Sequence, residues 1–507
     1  MTLADAPPKA GRREWIGLAV IALPCLLYSM DLTVLNLALP AISEDLRPSS
    51  SELLWIVDIY GFLVAGLLIT MGTLGDRIGR RRLLLIGAAS FGVASVLAAF
   101  ASSAPMLIGA RALLGVAGAT LAPSTMALIF NMFADVRERK IAIGVWIASF
   151  SAGAAIGPLA GGVLLEHFWW GSVFLIGVPV MALLLVLGPR LLPESRDPDA
   201  GRLDLASAAL SLAAVLAAIF GLKRFVEDGL HWPPVIAVAA GVVLAVVFAR
   251  RQARIADPLI DVSLFRIRAF SAGLAANTLG FFAAFGLFVF IDQYLQLVLG
   301  YSPLEAGLWS LPSAFGFIAG AMLAPPLLGG VRPATVVGSG LALAATGFAV
   351  IAQAGGIEWV VAGSVLFSLG LAPVAGLSTE LVVGAAPPER AGAASGISET
   401  SAELGGALGI AVLGSIGAAV YRSQIAIPRG VPDAAQNAAR DTPGGAVAAG
   451  ESLPLDRAAE LLHAADAAFT DAFQAAALTS ALVAAAAAIV AAVLLRRVRA
   501  APAPAHG

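Results

Sequence analysis

The chain has 507 residues, of which 59% are apolar and only 13% are charged, and its mean hydropathy is +0.89. A soluble domain typically carries about 25% charged residues, so this composition excludes an ordinary soluble protein and indicates a membrane protein. The net charge of −2 gives no reason to expect a nucleic-acid partner, and the single cysteine, Cys25, excludes an intramolecular disulfide and a cysteine-based metal site.

Long apolar stretches are the first elements that the sequence predicts. A helix needs about 20 mainly apolar residues to cross a bilayer, because the hydrocarbon core is about 30 Å thick and each residue rises about 1.5 Å. Fourteen stretches meet this requirement, and we interpret the first as an uncleaved helix rather than a secretory signal. They lie near residues 15–41, 53–73, 83–103, 105–131, 140–164, 170–191, 203–223, 233–249, 268–292, 304–328, 333–353, 358–384, 391–419 and 471–495.

Basic residues predict the orientation of these spans. If both termini are cytoplasmic and the spans alternate, most of the 31 Lys and Arg residues fall in cytoplasmic segments. Such an excess is typical of the cytoplasmic loops of membrane proteins. We therefore expect a multi-pass protein of the cell inner membrane (the plasma membrane) with both termini in the cytoplasm.

The first span contains an acidic residue near its middle. Residues 30–40 read MDLTVLNLALP, which places Asp31 within the bilayer. An ionisable group there costs at least a few kcal/mol, so it indicates a functional role. Asp31 could bind and release a proton as water reaches it from alternate sides. It could also be a structural carboxylate paired with Arg111, the base within span four, and the two roles are compatible.

The second span carries Asp58 within the segment WIVDIY at residues 55–60. Its position near the outer side permits two interpretations. The carboxylate could contribute to a substrate site, or it could simply reach the lipid headgroups.

The loop between spans two and three reads GTLGDRIGRRR over residues 72–82. Glycines permit a tight turn and close approach of two helices, and an aspartate can meet a helix end or an arginine cluster. We expect a conformational role for this loop, carried by Gly72, Asp76, Arg77, Gly79 and Arg80.

Span five contains GAAIGPLAGG at residues 153–162. A Gly-Pro pair kinks a helix, and small residues let a neighbouring helix pack against the backbone. The alternative to a conformational role is a generic small-residue packing face. The residues concerned are Gly153, Gly157, Pro158, Gly161 and Gly162. On the same span, Trp146 and Phe150 could stack on flat cationic substrates, or they could be ordinary lipid-facing or core residues.

These segments carry a family resemblance, to which YSPLEAGLWSLP at residues 301–312 adds. The loop at 72–82 resembles the signature of the major facilitator superfamily, and the segment at 153–162 resembles the motif of its antiporter branch. The segments at 30–40 and 301–312 resemble the fourteen-span drug:proton antiporters, which include the quaternary-ammonium and multidrug efflux pumps. One departure is Leu114, which stands where the superfamily pattern has a glutamine.

The resemblance implies an all-α integral membrane fold of two six-helix bundles related by a pseudo-two-fold axis, with a substrate site near the midplane between them. The N-terminal bundle is expected at 1–192 and the C-terminal bundle at 268–507. Two additional helices with their linkers occupy 193–267. The C-terminal part includes a polar extracytoplasmic loop, 420–470, whose second part, 453–473, has the spacing of an amphipathic helix. That helix could lie on the outer membrane face or be an ordinary solvated helix.

Span thirteen carries Glu399 and Glu403, which are separated by one helical turn and therefore share a helix face. They lie roughly 12 and 18 Å from the start of the span at about 1.5 Å per residue. A surface helix could carry such a pair trivially, but the flanking residues are apolar. Two carboxylates facing a cavity could bind either a cation or protons.

The energy source is predicted from what the sequence lacks. It contains no nucleotide-binding loop, no zinc-protease helix motif and no nucleophile elbow. We therefore expect a secondary transporter without a cofactor rather than an enzyme. Transport should use an ion gradient, and the resemblance implies protons.

The function implied by the resemblance is proton-coupled export of lipophilic cationic drugs, dyes and quaternary ammonium compounds by a monomer. The alternatives are an exporter of one endogenous metabolite or antibiotic on the same fold, and a membrane sensor or scaffold that does not transport. The predicted proton-coupling residues are Asp31, Arg111, Glu399 and Glu403. The predicted substrate-binding residues are Asp31, Asp58, Glu399, Glu403, Phe150 and Trp146.

Overall fold

The computed structural model describes residues 9–48, 50–196, 204–228, 232–255, 258–328, 331–353 and 355–496. No strand occurs in this part of the chain. Its α-helices are α1 (Arg12–Leu46), α2 (Ser50–Ile78), α3 (Arg80–Ala99), α4 (Ala104–Gly118), α5 (Leu121–Met132), α6 (Val136–His167), α7 (Ser172–Leu175), α8 (Gly177–Leu191), α9 (Leu205–Asp228), α10 (Trp232–Gln252), α11 (Arg268–Gln293), α12 (Pro303–Leu328), α13 (Pro333–Ile351), α14 (Ile357–Val383), α15 (Ala391–Gln424), α16 (Asp433–Asp441), α17 (Pro443–Gly450) and α18 (Leu455–Leu495).

The predicted number of membrane spans is confirmed. Among the described residues, 14 helical segments are long and apolar enough to cross a bilayer. Span four is divided into α4 and α5 by a break at Ala119 and Thr120, and span six is divided into α7 and α8 near Ile176. Several helices begin where a side chain accepts a hydrogen bond from the first turn, as Ser103 does for α4 and Asp135 for α6.

The polar segment after span thirteen is more ordered than its composition indicates. The helix predicted over 453–473 is present, but it continues directly into the last span as α18. It is therefore not a separate helix, and it has one face buried against the bundle and one exposed face. Phe469 stacks on Phe290 of α11 at 6.0 Å between ring centroids, and Leu461 is fully buried. The buried side chains of this segment fix it to the bundle.

Two large apolar cores organise the molecule. The first is formed mainly by residues 18–192, and the second by residues 272–495. Between them, α2 packs on α15 and α6 packs on α12. The pair α9 and α10 packs mainly on itself and meets the rest of the bundle through α2 and α15. The division into bundles at residues 192 and 268 stays a prediction, and parts of its terminal and linker segments lie outside the described residues.

The two ends of the bundle are distinguishable. One end carries the beginning of α1, the turn at Gly79 and the beginning of α15, and we call it the N-terminal face. The Ala10 amide donates a hydrogen bond of 2.7 Å to Glu138 at this face, which places the beginning of α1 beside the beginning of α6. The opposite face carries the segment 425–454.

Candidate functional site

Asp31 and Arg111 form an ion pair between α1 and α4. Arg111 Nη1 donates to Asp31 Oδ2 at 2.5 Å, and Arg111 Nε donates to the carbonyl of Ile56 at 3.2 Å. The guanidinium also lies 4.8 Å from the ring centroid of Tyr60. The Arg111 side chain is 1% exposed, whereas the Asp31 side chain is 14% exposed. Arg111 is thus neutralised and held on three sides, while the carboxylate keeps some contact with open space.

The open space beside Asp31 is a narrow crevice between α1, α3 and the junction of α7 and α8. It is lined mostly by apolar side chains, and Ser95 is the polar lining residue besides Asp31. The lining includes Met30, Phe91, Val173, Phe174 and Gly177. Asp31 therefore takes part in an ion pair on one side and faces a cavity on the other.

Glu403 on α15 is connected directly to α1. The Tyr28 hydroxyl donates a hydrogen bond of 3.0 Å to Glu403 Oε1. Glu399, one turn earlier on α15, lies close enough to Cys25 and Tyr28 of α1 to interact with them electrostatically. No described residue donates a hydrogen bond to the half-buried Glu399 or forms an ion pair with it. This carboxylate is available to a cation or a proton.

Aromatic rings continue from Tyr28 along α6. The Phe150 ring lies 5.6 Å from the Tyr28 ring and 4.6 Å from the Trp146 ring, both in edge-on arrangements. Trp146 is 3% exposed, and its indole N–H donates to Thr125 Oγ1 at 2.9 Å. Phe150 is half-buried, so it is the member of this pair with open surface. The fixed Trp146 ring supports it from behind.

Tyr28, Phe150, Glu399 and Glu403 form what we call the acid–aromatic cluster, with Trp146 behind it. The structure brings the predicted residues Trp146, Phe150 and Glu403 together through Tyr28, which the sequence analysis did not single out. A tyrosine three residues before a membrane-embedded Asp31 lies near the same helix face, and this spacing is the signal that could have found it.

Asp58 occupies a different face of α2 from the residue that contacts Arg111. It is half-buried and lies one turn before Phe62, which packs against α9 and α15 through Val215 and Leu404. Tyr60, which is two residues after Asp58, lies with its ring against the Arg111 guanidinium. Asp58 and the Tyr60 ring therefore lie on different faces of α2. Among the described residues, no group of three or more His, Cys, Asp or Glu side chains could hold a metal ion.

The loop that follows α2 ties two parts of the bundle together at the N-terminal face. Asp76 accepts hydrogen bonds from the backbone amides of Gly392 at 3.0 Å and Ala393 at 2.9 Å, at the beginning of α15. Arg80 Nε donates to Asp76 at 2.9 Å, and Arg80 Nη2 donates to the carbonyl of Pro388 at 2.6 Å. A carboxylate at a helix N-terminus satisfies amides that have no partner within the helix. We call this set of contacts the clasp.

Three other loop residues have distinct positions. A Cβ atom on Gly72 would overlap the carbonyl oxygen of Gly392, so glycine is what allows α2 to approach α15. Gly79 has a φ of 108°, a conformation that favours glycine, and a Cβ there would meet Glu194. Arg77 is half-buried at the end of α2.

The glycine segment of α6 packs against α1. A Cβ on Gly153 would overlap the carbonyl oxygen of Leu26, and a Cβ on Gly157 would overlap Thr33 Oγ1. A Cβ on Gly161 would lie 3.0 Å from a methyl group of Val34, which is a tight approach. Close packing was also predicted at Gly162, but that prediction is wrong, because a Cβ there would have no neighbour within 4 Å. The side chain of Pro158 lies outside the described residues.

Comparison with known sequences agrees with this architecture. Residues 21–410 match the profile of the Major Facilitator Superfamily. The chain is 46% identical over 502 residues to the multidrug efflux pump LfrA of Mycolicibacterium smegmatis, which covers 98% of this chain and 100% of the relative. It is 36% identical to the methyl viologen resistance protein SmvA of Salmonella typhimurium, over 90% of this chain and 93% of the relative. It is 34% identical to the tetracenomycin C resistance and export protein of Streptomyces glaucescens, over 79% of this chain and 76% of the relative.

Solved structures show the same fold. The human organic anion transporter TETRAN matches with a TM-score of 0.63 and 18% identity, over 96% of this chain and 100% of that one. A bacterial homologue of the human lysosomal transporter Spinster matches with a TM-score of 0.55 and 18% identity, over 97% of this chain and 100% of that one. Because the family profile matches residues 21–410 and a relative is 46% identical over 98% of the chain, the chain belongs to the Major Facilitator Superfamily.

Proposed function

We propose that this transporter exports lipophilic cationic drugs from the cytoplasm in exchange for protons. Two relatives support a drug substrate by their names, a multidrug efflux pump and a methyl viologen resistance protein. Methyl viologen is a flat aromatic dication. A protein that exports such compounds needs a site that combines negative charge with aromatic surface.

The acid–aromatic cluster is the observation that carries this proposal. Glu399 and Glu403 place two carboxylates on one helix face, and only Glu403 accepts the Tyr28 hydrogen bond. An unpaired carboxylate in a membrane costs several kcal/mol unless a ligand or proton compensates it. The open surface of Phe150, whose ring packs on the Tyr28 ring that joins it to Glu403, suits the face of a planar cation. A ligand held by both groups would be selected for charge and flatness together.

Asp31 and Arg111 are the proposed proton-coupling pair, with Glu399 and Glu403 as acids for which cation and proton compete. Protonation of Asp31 would remove the negative charge that neutralises Arg111, so it would weaken the contact between α1 and α4. Because α1 also carries Tyr28, the same event would disturb the hydrogen bond to Glu403. We infer that proton uptake at one site promotes cation release at the other through α1.

The N-terminal face is proposed to be cytoplasmic, since it carries most of the arginines. The clasp between Asp76, Arg80 and the beginning of α15 closes this face. Separation of the clasp would admit substrate from the cytoplasm, and its closure would precede release on the opposite side. Each chain carries all residues of the cluster, so we propose that the functional unit is the monomer.

Dye movement in proteoliposomes tests the proposal. Ethidium should accumulate against its gradient when a pH gradient is imposed on wild-type protein, and Glu399→Gln should abolish this accumulation. The proposal would be contradicted if dye moved without dependence on the pH gradient. It would also be contradicted if several unrelated cations were not transported at all. Transport of a single antibiotic with no response to cationic dyes would favour the narrower function, which the tetracenomycin C export relative illustrates.

A further inference from the structure

The segment between α10 and α11 has a buried face that packs in a small apolar cluster, separate from the two large cores. Leu259, Ile260 and Leu264 are 2%, 8% and 7% exposed. Ile260 and Leu264 pack in one cluster with side chains of four helices, which are Ile69 of α2, Phe270 of α11, Val382 of α14 and Ile397 of α15. Residues 258–267, which we call the linker strap, therefore lie against the junction that the clasp closes.

Hydrogen bonds fix the linker strap in this position. Gln252, at the end of α10, is 3% exposed, and its side-chain oxygen accepts from the amides of Leu259 at 2.7 Å and Ile260 at 3.3 Å. The side-chain nitrogen of Gln252 donates to Ser207 Oγ at 2.8 Å. From the other side, Thr73 Oγ1 of α2 donates to the carbonyl of Leu259 at 3.2 Å. The strap is thus attached to both α10 and α2.

The opposite face of the strap is apolar and exposed. Val262, Phe265 and Ile267 are 37%, 44% and 41% exposed. They lie between the end of α10 and the beginning of α11, which are ends of membrane spans. This position is the level at which a bilayer changes from acyl chains to headgroups.

Four arginines lie close to this apolar surface along the chain. All four are exposed, and none of their guanidinium groups bonds to a described residue; they are Arg250, Arg254, Arg266 and Arg268. The fifth arginine here, Arg251, pairs with Asp204 at 2.7 Å. Hydrogen bonds from Ser207 and Arg251 lower the pKa of Asp204 to about 2, so that pair stays ionised. The strap's described acid, Asp261, accepts a hydrogen bond from the Ser263 amide and interacts with Arg390.

We propose that the exposed face of the linker strap binds anionic phospholipid headgroups, with Val262, Phe265 and Ile267 inserted at the level of the glycerol backbone. Unpaired arginines close to an apolar surface at a membrane boundary match an anionic headgroup and the chains beneath it. The leaflet is the cytoplasmic one, which rests on the orientation in the proposed function. Because the buried face of the strap lies at the clasp junction, headgroup binding stabilises the conformation that is closed at this face.

Thermal unfolding of the full-length protein in detergent tests this inference. Added phosphatidylglycerol should raise Tm by about 3 °C more than added phosphatidylcholine, since a ligand that binds only the folded state stabilises it. The variant R250Q/R254Q/R266Q/R268Q should lose most of that difference. The matched control removes four exposed arginines from the same face of the bundle, R12Q/R82Q/R137Q/R196Q, and should keep most of it.

Two outcomes would overturn the inference. One is an unchanged phosphatidylglycerol response in the strap variant, and the other is an equal loss in both variants, which would mean general electrostatic attraction. If the fourfold variant does not fold, R266Q/R268Q serves instead, with the loss expected to be about half. The unfolding readout needs no transport. A failed dye assay with an intact lipid response would therefore contradict the proposed function alone.

Discussion

The Tyr28 hydroxyl of α1 donates a hydrogen bond to the Glu403 carboxylate of α15, with 3.0 Å between the two oxygens. This contact joins a helix near the beginning of the chain to one near its end. It also places a carboxylate of α15 three residues along α1 from the Asp31–Arg111 ion pair. The proposed cation site and the proposed proton site therefore share one helix.

Replacing Tyr28 by Phe should destabilise the protein. The substitution keeps the ring but removes the donor to the half-buried Glu403 carboxylate, and a hydrogen bond to a charged group contributes roughly 1.5–3 kcal/mol. Thermal unfolding in detergent measures the change. Tyr60→Phe is the matched control, because the Tyr60 hydroxyl has no hydrogen-bond partner among the described residues. Equal Tm values for the two variants would contradict the importance of the Tyr28–Glu403 bond.

Replacing Glu399 by Gln should weaken the binding of cations. The change removes an unpaired negative charge close to Tyr28 and Glu403, and we expect the Kd for ethidium to rise at least about tenfold, which corresponds to about 1.4 kcal/mol. Fluorescence titration of purified protein measures this Kd. Glu380→Gln removes an acid that lies 3.7 Å from Lys140 and away from the cluster, so its Kd should remain near the wild-type value. A similar loss in both variants would indicate a general charge effect.

Replacing Gly72 by Ala should open the N-terminal face. The added Cβ would overlap the carbonyl of Gly392, so α2 and α15 must separate. In a Cys25→Ser background, a cysteine at Ala393 should react with a water-soluble maleimide roughly tenfold faster after this change. Gly61→Ala on the same helix has open space and should not alter the rate. A rate that stays unchanged in Gly72→Ala would mean that the clasp does not limit access.

Replacing Gly157 by Ala should disrupt the packing of α6 on α1. The added methyl would overlap Thr33 Oγ1 and lie 3.3 Å from the Met30 carbonyl oxygen, so Thr33 must move and the contact between α1 and α6 is strained, at a cost of about 1–3 kcal/mol. Both Tm and dye export should fall. Gly162→Ala, five residues later, meets nothing within 4 Å and should leave both unchanged. If Gly157→Ala were neutral, close contact between α1 and α6 would not be required.

The spans could be predicted from the sequence because each depends on local composition. All fourteen follow from apolar length alone. The break between α4 and α5 and the joining of 455–470 to the last span depend on packing between distant residues, so hydropathy could not indicate them. Phe469, for example, falls in a predicted loop when only the sequence is considered. Its place in the bundle depends on stacking with Phe290, which is distant in the sequence.

The candidate site was partly predictable for the same reason. Asp31 and Arg111 stand out because charges are rare in membrane spans, and their pairing was expected on that basis. Tyr28 does not stand out, since a tyrosine in a long apolar helix is common. Its role depends on the position of α15, and the sequence does not give that position. The role of Gln252 in fixing the linker strap likewise depends on the position of the Leu259 amide, which the sequence does not give.

Ethidium transport in proteoliposomes under an imposed pH gradient, with wild type beside Asp31→Asn, tests the central claim most directly. Asparagine can still accept a hydrogen bond from Arg111, so the variant should fold, but it cannot take up a proton. Asp45→Asn is the control, because Asp45 lies on the same helix and bonds to Trp170 instead. The account predicts that wild type and Asp45→Asn accumulate the dye against its gradient while Asp31→Asn does not. Normal gradient-driven accumulation by Asp31→Asn would contradict it.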